Sequence, residues 1–198
     1  MVIRAAMRLV TEAEGPGLRW ALWVQGCPLR CDGCCNPELL EADGGEPVPW
    51  ERLAEELGAA RAAFPTLEGV TFLGGEPFAQ GAALARLAVE ARAAGLSVVT
   101  YSGFTLEELR ARPGDGERAL LDATDLLVDG RWDPDAGPSP HRNVGSANQR
   151  LVPLTPRGAA LAARWDVGPE VVEVRIDGAR VLANGVPGAL DGIASRRA

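Results

Sequence analysis

Cys27, Cys31 and Cys34 stand in a C-x3-C-x2-C spacing within Gly26-Cys27-Pro28-Leu29-Arg30-Cys31-Asp32-Gly33-Cys34. Three thiolates on one short loop can hold three irons of a cubane 4Fe-4S cluster and leave the fourth iron without a protein ligand. An open coordination position marks a catalytic rather than a structural centre. Two other readings compete. Cys27, Cys31, Cys34 and Cys35 together could form a zinc site, although the adjacent side chains of Cys34 and Cys35 point apart on most backbones and structural zinc prefers paired C-x2-C knuckles. A ferredoxin would supply a fourth, distant thiolate, but all four cysteines lie between Cys27 and Cys35. Cys35 is not assigned to the metal; a free cysteine also packs as a small hydrophobe.

Further polar segments punctuate the chain. Gly74-Gly75-Glu76-Pro77 closes a short apolar run. Alone, it is a glycine turn whose Glu76 favours a helix start through the N-terminal dipole. Ser102-Gly103 and Asp129-Gly130 close two more runs, and each also suits a plain turn. Gly145-Ser146-Ala147-Asn148-Gln149-Arg150 follows a proline-rich loop that carries His141, the only histidine. A loop histidine of this kind is solvated by default. The five tryptophans fit core or interface positions better than a cofactor cage.

The elements that must position these residues alternate between strand and helix. Val2–Val10 and Trp20–Gln25 are expected as strands flanking the turn Glu14-Gly15-Pro16-Gly17. Pro49 can open a helix, where no N–H donor is needed, with Leu53, Leu57 and Ala60 on one face. Gly69–Leu73, Ser97–Tyr101 and Leu126–Val128 are short apolar strands. Ala79–Ala94 is predicted helical, with Leu84, Leu87 and Ala91 inward and Gly95 as its stop. Thr105 and Glu108 match a capping box. Pro156–Trp165 is a further helix, and Val171–Ile176 with Arg180–Ala183 a hairpin about Asp177-Gly178.

This alternation favours an α/β fold with a mostly parallel sheet. A chain of 198 residues is short of the ~250 of a complete eight-unit barrel, so an incomplete, open β/α barrel is expected. It would form a single domain over residues 1–198, with a core from about 4 to 152 and a helix plus hairpin at 153–198 that completes or caps it. In such folds reactive groups gather at the carboxyl ends of the strands. The cysteine loop, the Gly-Gly-Glu-Pro, the Ser-Gly and the Asp-Gly all follow strands, so all four are expected on one rim.

Composition narrows the classes. Hydrophobic residues make up 46% and charged residues 24%, an ordinary globular balance. Net charge is -7, which opposes general binding to phosphate backbones or anionic lipid. Every basic residue is arginine, so lysine Schiff-base chemistry and a P-loop lysine are excluded. No apolar run reaches membrane-spanning length, and residues 1–8 lack a signal-peptide pattern. The cytoplasm is the expected location, without nucleic-acid or membrane partners. Clustered cysteines in such a chain suit metal binding rather than a disulfide framework.

Gly26-Cys27 through Cys34, with Asn36-Pro37-Glu38 after it, resembles the radical S-adenosylmethionine (SAM) superfamily. Glu14-Gly15-Pro16-Gly17-Leu18-Arg19, Trp23-Val24-Gln25-Gly26-Cys27, Gly74-Gly75-Glu76-Pro77 and Gly145–Arg150 resemble its activating-enzyme branch, similar to the activase of anaerobic ribonucleotide reductase. The resemblance runs from about Arg4 to Val152. It implies a 4Fe-4S cluster on Cys27, Cys31 and Cys34, with SAM chelating the open iron. Reductive cleavage of SAM to a 5'-deoxyadenosyl radical would then abstract hydrogen from a glycine of a partner glycyl radical enzyme. The electron would come from a reductant such as flavodoxin or ferredoxin.

The resemblance also implies that Gly74, Gly75 and Glu76 meet the methionine end of SAM, the Glu76 carboxylate facing its ammonium. Gly33, Cys34 and Cys35 would meet adenine through backbone groups. The branch usually places an aromatic residue directly after the third cysteine; Cys35 stands there instead. Ser102 would lie near the ribose and Asp129 near SAM or the target. Asn148 and Arg150 would meet the SAM carboxylate or the partner's peptide, unless Arg150 merely solvates the surface. Two alternatives stay open: a radical SAM enzyme acting on another peptide or a small molecule, and a nonenzymatic iron-sulfur or zinc module.

Overall fold

The apolar runs pair into one seven-stranded sheet, seen in a computed structural model that describes residues 1–178 and 180–185. Its strands are β1 (Val2–Thr11), β2 (Arg19–Val24), β3 (Glu46–Pro49), β4 (Gly69–Gly74), β5 (Ser97–Tyr101), β6 (Leu126–Asp129) and β7 (Arg150–Pro153). The order is β3-β1-β2-β4-β5-β6-β7. The four central strands β2, β4, β5 and β6 run parallel, in register at Trp20–Val70, Val70–Val98 and Val99–Leu126. The outer pairings β1–β2, β1–β3 and β6–β7 are antiparallel. The fold is therefore α/β with a mixed sheet whose centre is parallel.

Both faces of these parallel strands are covered, which is why they are buried along almost their whole length and largely apolar, with Thr71 and Thr100 as buried polar exceptions. Alternate residues serve two layers. Leu22, Val70, Phe72, Val98 and Leu127 face one cluster. It is filled by Leu53 and Leu57 of α1 (Trp50–Ala63), Leu84 and Leu87 of α2 (Gly81–Ala93) and Leu120. Each of these buried leucines contributes about 1.5–3 kcal/mol by leaving water. On the opposite face Ala21, Trp23 and Leu73 pack with Leu39, and Val99, Leu126 and Val128 pack with Leu161 and Trp165.

Two short helices, α3 (Leu106–Ala111) and α4 (Asp115–Ala123), link β5 to β6. Thr105 caps α3 in a full capping box with Glu108, as the sequence predicts. Pro49 does not begin α1: it ends β3 opposite Val2, and the helix starts at Trp50. β3 is an edge strand, where a proline removes no ladder bond. The predicted helix over 79–94 begins as a 3-10 turn at Pro77–Gln80 before α2. Gly95 ends it with φ +84°.

The C-terminal segment forms α5 (Pro156–Ala163) and the hairpin β8 (Val172–Asp177) and β9 (Arg180–Gly185). The hairpin is a separate two-stranded sheet against the β1–β2 turn. There Asn184 Nδ2 donates to Thr11 Oγ1 (3.0 Å), and the Glu12 backbone N–H donates to Glu173 Oε1 (2.9 Å). Residues 186–198 of the expected C-terminal unit lie outside the described residues. No helix among the described residues is long and apolar enough to cross a membrane.

At the amino ends of the parallel strands, Arg19 is buried without an ion-pair partner among the described residues. Its guanidinium donates to Thr71 Oγ1, Ser97 Oγ and the carbonyls of Pro16, Val70 and Ser97. Burial pushes its pKa down to about 10. It ties β2, β4 and β5 together at the rim opposite the cysteines.

Candidate metal centre

All four unusual segments follow the carboxyl ends of the four parallel strands: residues 25–35 after β2, Gly75-Glu76 after β4, Ser102-Gly103 after β5 and Gly130–Asp133 after β6. The sheet thus gathers on one rim what the sequence separates by a hundred residues.

The cysteine loop is anchored at its base. Gly26 N donates to Leu39 O (2.9 Å) and Cys27 N to Leu40 O (3.0 Å). The Gln25 side chain donates to the carbonyls of Glu38 and Glu41. Beyond this base the chain turns tightly, with Arg30 at φ +47° and Gly33 at φ +70°. Cys27, Cys31 and Cys34 are half-buried free thiols and Cys35 is exposed. Burial pushes the Cys27 thiol up, against the pull of the backbone N–H groups of Leu29 and Arg30. Cys31 is likewise raised by burial, opposed by the charge of Arg131 and the backbone N–H of Trp132. These donors and this cation face the thiols and would favour their deprotonated, metal-binding form.

Among the described residues no three His, Cys, Asp or Glu side chains converge closely enough to hold a single metal ion. The thiols share one loop rather than one point. A cubane distributes its ligands over separate irons and so asks for three soft donors on a common rim, which this loop supplies.

Gly75 joins the second motif to the first. A Cβ there would sit 2.4 Å from the carbonyl oxygen of Gly26, so only glycine fits. Gly75 N donates to Val24 O (2.8 Å) and Glu76 N to Gly26 O (2.9 Å). Glu76 is fully buried. Its Oε1 accepts from Phe78 N (2.9 Å) and Ser102 Oγ (3.1 Å), and its Oε2 from Gly103 N (2.9 Å). It has no ion-pair partner among the described residues. Burial pushes its pKa up to about 7 despite these donors. A buried carboxylate held by neutral donors, beside the cysteine loop, fits a cationic ligand.

The other predicted residues divide. Gly74, at φ +104°, turns the chain into Gly75. Ser102 is spent on Glu76 and Phe104 N rather than turned outward. Asp129 is buried, accepting from Leu106 N (2.7 Å) and, through both oxygens, from Arg150 Nε (2.8 Å) and Nη2 (2.6 Å). Arg150 also holds Glu107 at 2.7 Å. Asn148 Nδ2 donates to Arg131 O (2.8 Å) and Gln149 Nε2 to Gly130 O (2.9 Å), so both side chains brace the loop after β6. His141 pairs with Asp166 at 2.7 Å.

Leu29, Arg131 and Trp132 are site residues that sequence reasoning passes over. Leu29 covers Gly103, where a Cβ would meet it at 2.3 Å. Arg131 and Trp132 reach the cysteine loop only through the fold, although their place directly after Asp129-Gly130, on a predicted rim, is a usable signal.

The 4Fe-4S single cluster domain family matches residues 13–152. The anaerobic ribonucleoside-triphosphate reductase-activating protein of Vibrio cholerae is 30% identical over 144 residues, covering 71% of this chain and 90% of that protein. Its counterpart in phage T4 is 27% identical over 142 residues, 70% and 85% of the two chains. The pyruvate formate-lyase-activating enzyme of Clostridium pasteurianum is 40% identical over 68 residues, 34% of this chain and 29% of that enzyme. The chain belongs to the 4Fe-4S single cluster domain family, among the radical SAM activating enzymes that its motifs resemble.

Proposed function

We propose that this chain is a glycyl radical enzyme activase whose partner is an anaerobic ribonucleotide reductase. The observation that carries the reading is Glu76: a buried carboxylate without an ion-pair partner among the described residues, next to a glycine pressed against the cysteine loop. The names of the relatives support the choice of partner.

In this reading Cys27, Cys31 and Cys34 hold the cluster and Glu76 receives the ammonium of SAM. When bound, cluster and SAM supply a one-electron cleavage of the sulfonium and hence a radical able to take a hydrogen atom. The chain's own work is positioning. Gly74 and Gly75 let the backbone approach the methionine end, and Ser102 and Gly103 fix the Glu76 carboxylate. The backbone of Gly33, Cys34 and Cys35 borders the adenine side. Asp129, Asn148 and Arg150 act by holding the loops after β5 and β6 rather than by gripping the carboxylate of SAM. The parallel strands belong to an open β/α barrel of the radical SAM type, in one domain, with the hairpin β8–β9 capping one end. The open side admits a peptide loop of the partner, and a protein reductant such as flavodoxin or ferredoxin delivers the electron.

Anaerobically reconstituted protein with reductant and SAM is expected to yield 5'-deoxyadenosine, and with an anaerobic ribonucleotide reductase a glycyl radical signal in electron paramagnetic resonance. A verified cluster with no 5'-deoxyadenosine overturns the catalytic reading. 5'-Deoxyadenosine with no radical on that reductase overturns the choice of partner.

A further inference from the structure

The indole of Trp132 lies between two glycines of two different motifs. On one side a Cβ on Gly33, between Cys31 and Cys34, would sit 3.3 Å from Trp132 Nε1. On the other, a Cβ on Gly145 would sit 2.9 Å from the benzo ring. At Gly145 a side chain would displace the ring, and at Gly33 it would press tightly on the indole nitrogen.

Its N–H is buried and has no hydrogen-bond partner among the described residues. A buried donor left unpaired has lost its hydrogen bond to water with nothing in exchange, so such groups call for an explanation. The loop that carries it is not slack. Asn148 and Gln149 donate to the carbonyls of Arg131 and Gly130, and Ser146 Oγ accepts from Asp133 N (3.1 Å). Gln149 Oε1 closes the brace by accepting from Gly145 N and Ser146 N, each at 3.0 Å. The segment 145–149 therefore fixes an idle donor against Gly33, in the middle of the cysteine loop.

We propose that Trp132 is a positioning and tuning residue whose indole N–H donates to a sulfur of the cluster, either a cysteine thiolate or an inorganic sulfide. This rests on the reading of Cys27, Cys31 and Cys34 as cluster ligands. A donor aimed at a cluster sulfur stabilises the more negative, reduced state and raises the reduction potential. The donor comes from the loop after β6 on the same rim, so no cysteine-loop residue is needed for it.

The test uses full-length protein reconstituted without oxygen, as wild type and Trp132→Phe, which keeps the ring and removes the N–H. Iron and sulfide content is measured first. At a fixed poise near the wild-type midpoint, Trp132→Phe is expected to show a roughly tenfold lower ratio of reduced to oxidised cluster, about 59 mV for a one-electron couple. Wild-type protein labelled isotopically at the indole nitrogen is expected to show nitrogen hyperfine coupling to the reduced cluster, absent in Trp132→Phe. Equal midpoints in the two proteins, or no coupling in wild type, overturns the proposal. If the variant does not hold a cluster, the coupling in wild type decides alone. If wild type itself binds no iron and sulfide, the cluster reading fails and this inference falls with it.

Discussion

The Ser102 hydroxyl lies 3.1 Å from one carboxylate oxygen of Glu76 and 3.2 Å from the other. With Phe78 N and Gly103 N it surrounds the carboxylate by neutral donors from two turns, those after β4 and β5. Neutral donors soften the cost of burying a charge but do not cancel it, which is why Glu76 titrates at about 7.

SAM affinity is expected to follow that titration. An ammonium prefers the ionised carboxylate, so affinity should rise with pH up to about 7 and level off above it, falling about tenfold per unit on the acid side. Glu76→Gln should weaken binding roughly 10–100-fold and remove the pH dependence. Equilibrium binding of SAM to the reconstituted protein from pH 5 to 8 checks both; a flat wild-type profile sinks the assignment.

Fold stability should run the other way. Glu76 and Glu14 are both raised by burial, to about 7 and about 8, above their ordinary 4.5. Between those limits the folded state binds more protons than the unfolded one, so stability falls as pH rises through the window. For Glu76 the whole effect is about 3 kcal/mol. Urea denaturation of the apoprotein at pH 5 and pH 8 should show the acid side more stable, and Glu76→Gln should reduce the difference. Equal midpoints at the two pH values would count against both burial shifts.

The four cysteines should divide three to one. Cys27→Ser, Cys31→Ser and Cys34→Ser are each expected to lose most of the iron and sulfide, because each removes a soft donor. Cys35→Ser, at an exposed thiol, should retain full content. Loss of cluster in Cys35→Ser would make it a fourth ligand and close the open iron.

Gly75→Ala places a methyl 2.4 Å from the Gly26 carbonyl oxygen. Overpacking of this kind costs about 1–3 kcal/mol. Here the strain falls on the base of the cysteine loop, so iron occupancy should drop along with the melting temperature. Arg150→Ala is the contrast: it leaves Asp129 buried with Leu106 N, costing about 1–3 kcal/mol while iron content holds. Thermal melting paired with iron analysis separates the two.

The central strands and the rim were legible in the sequence because burial on both faces leaves short runs rich in apolar and β-branched residues, as in Gly69–Leu73 and Ser97–Tyr101, with the polar motifs directly behind them. The edges were not. β3 contains Pro47 and Pro49, which argue against a strand until β1 is seen to pair with it. β7 is half-exposed, only four residues long, and begins at the last residue of a polar motif. The span after Thr105 holds two helices, not one, because Arg112-Pro113 breaks it before α4. In the site, the three cysteines and Glu76 could be found by type and spacing. The partners of Asp129, Asn148 and Arg150, and the approach of Trp132 to Gly33, depend on contacts more than fifteen residues apart, which no local pattern encodes.

The indole pressed against Gly33 also makes the molecule self-reporting. Iron-sulfur chromophores absorb broadly across the emission range of tryptophan, so light from that ring should dim as metal loads and brighten as oxygen strips it. Assembly and decay of the centre can then be followed in real time without any added dye.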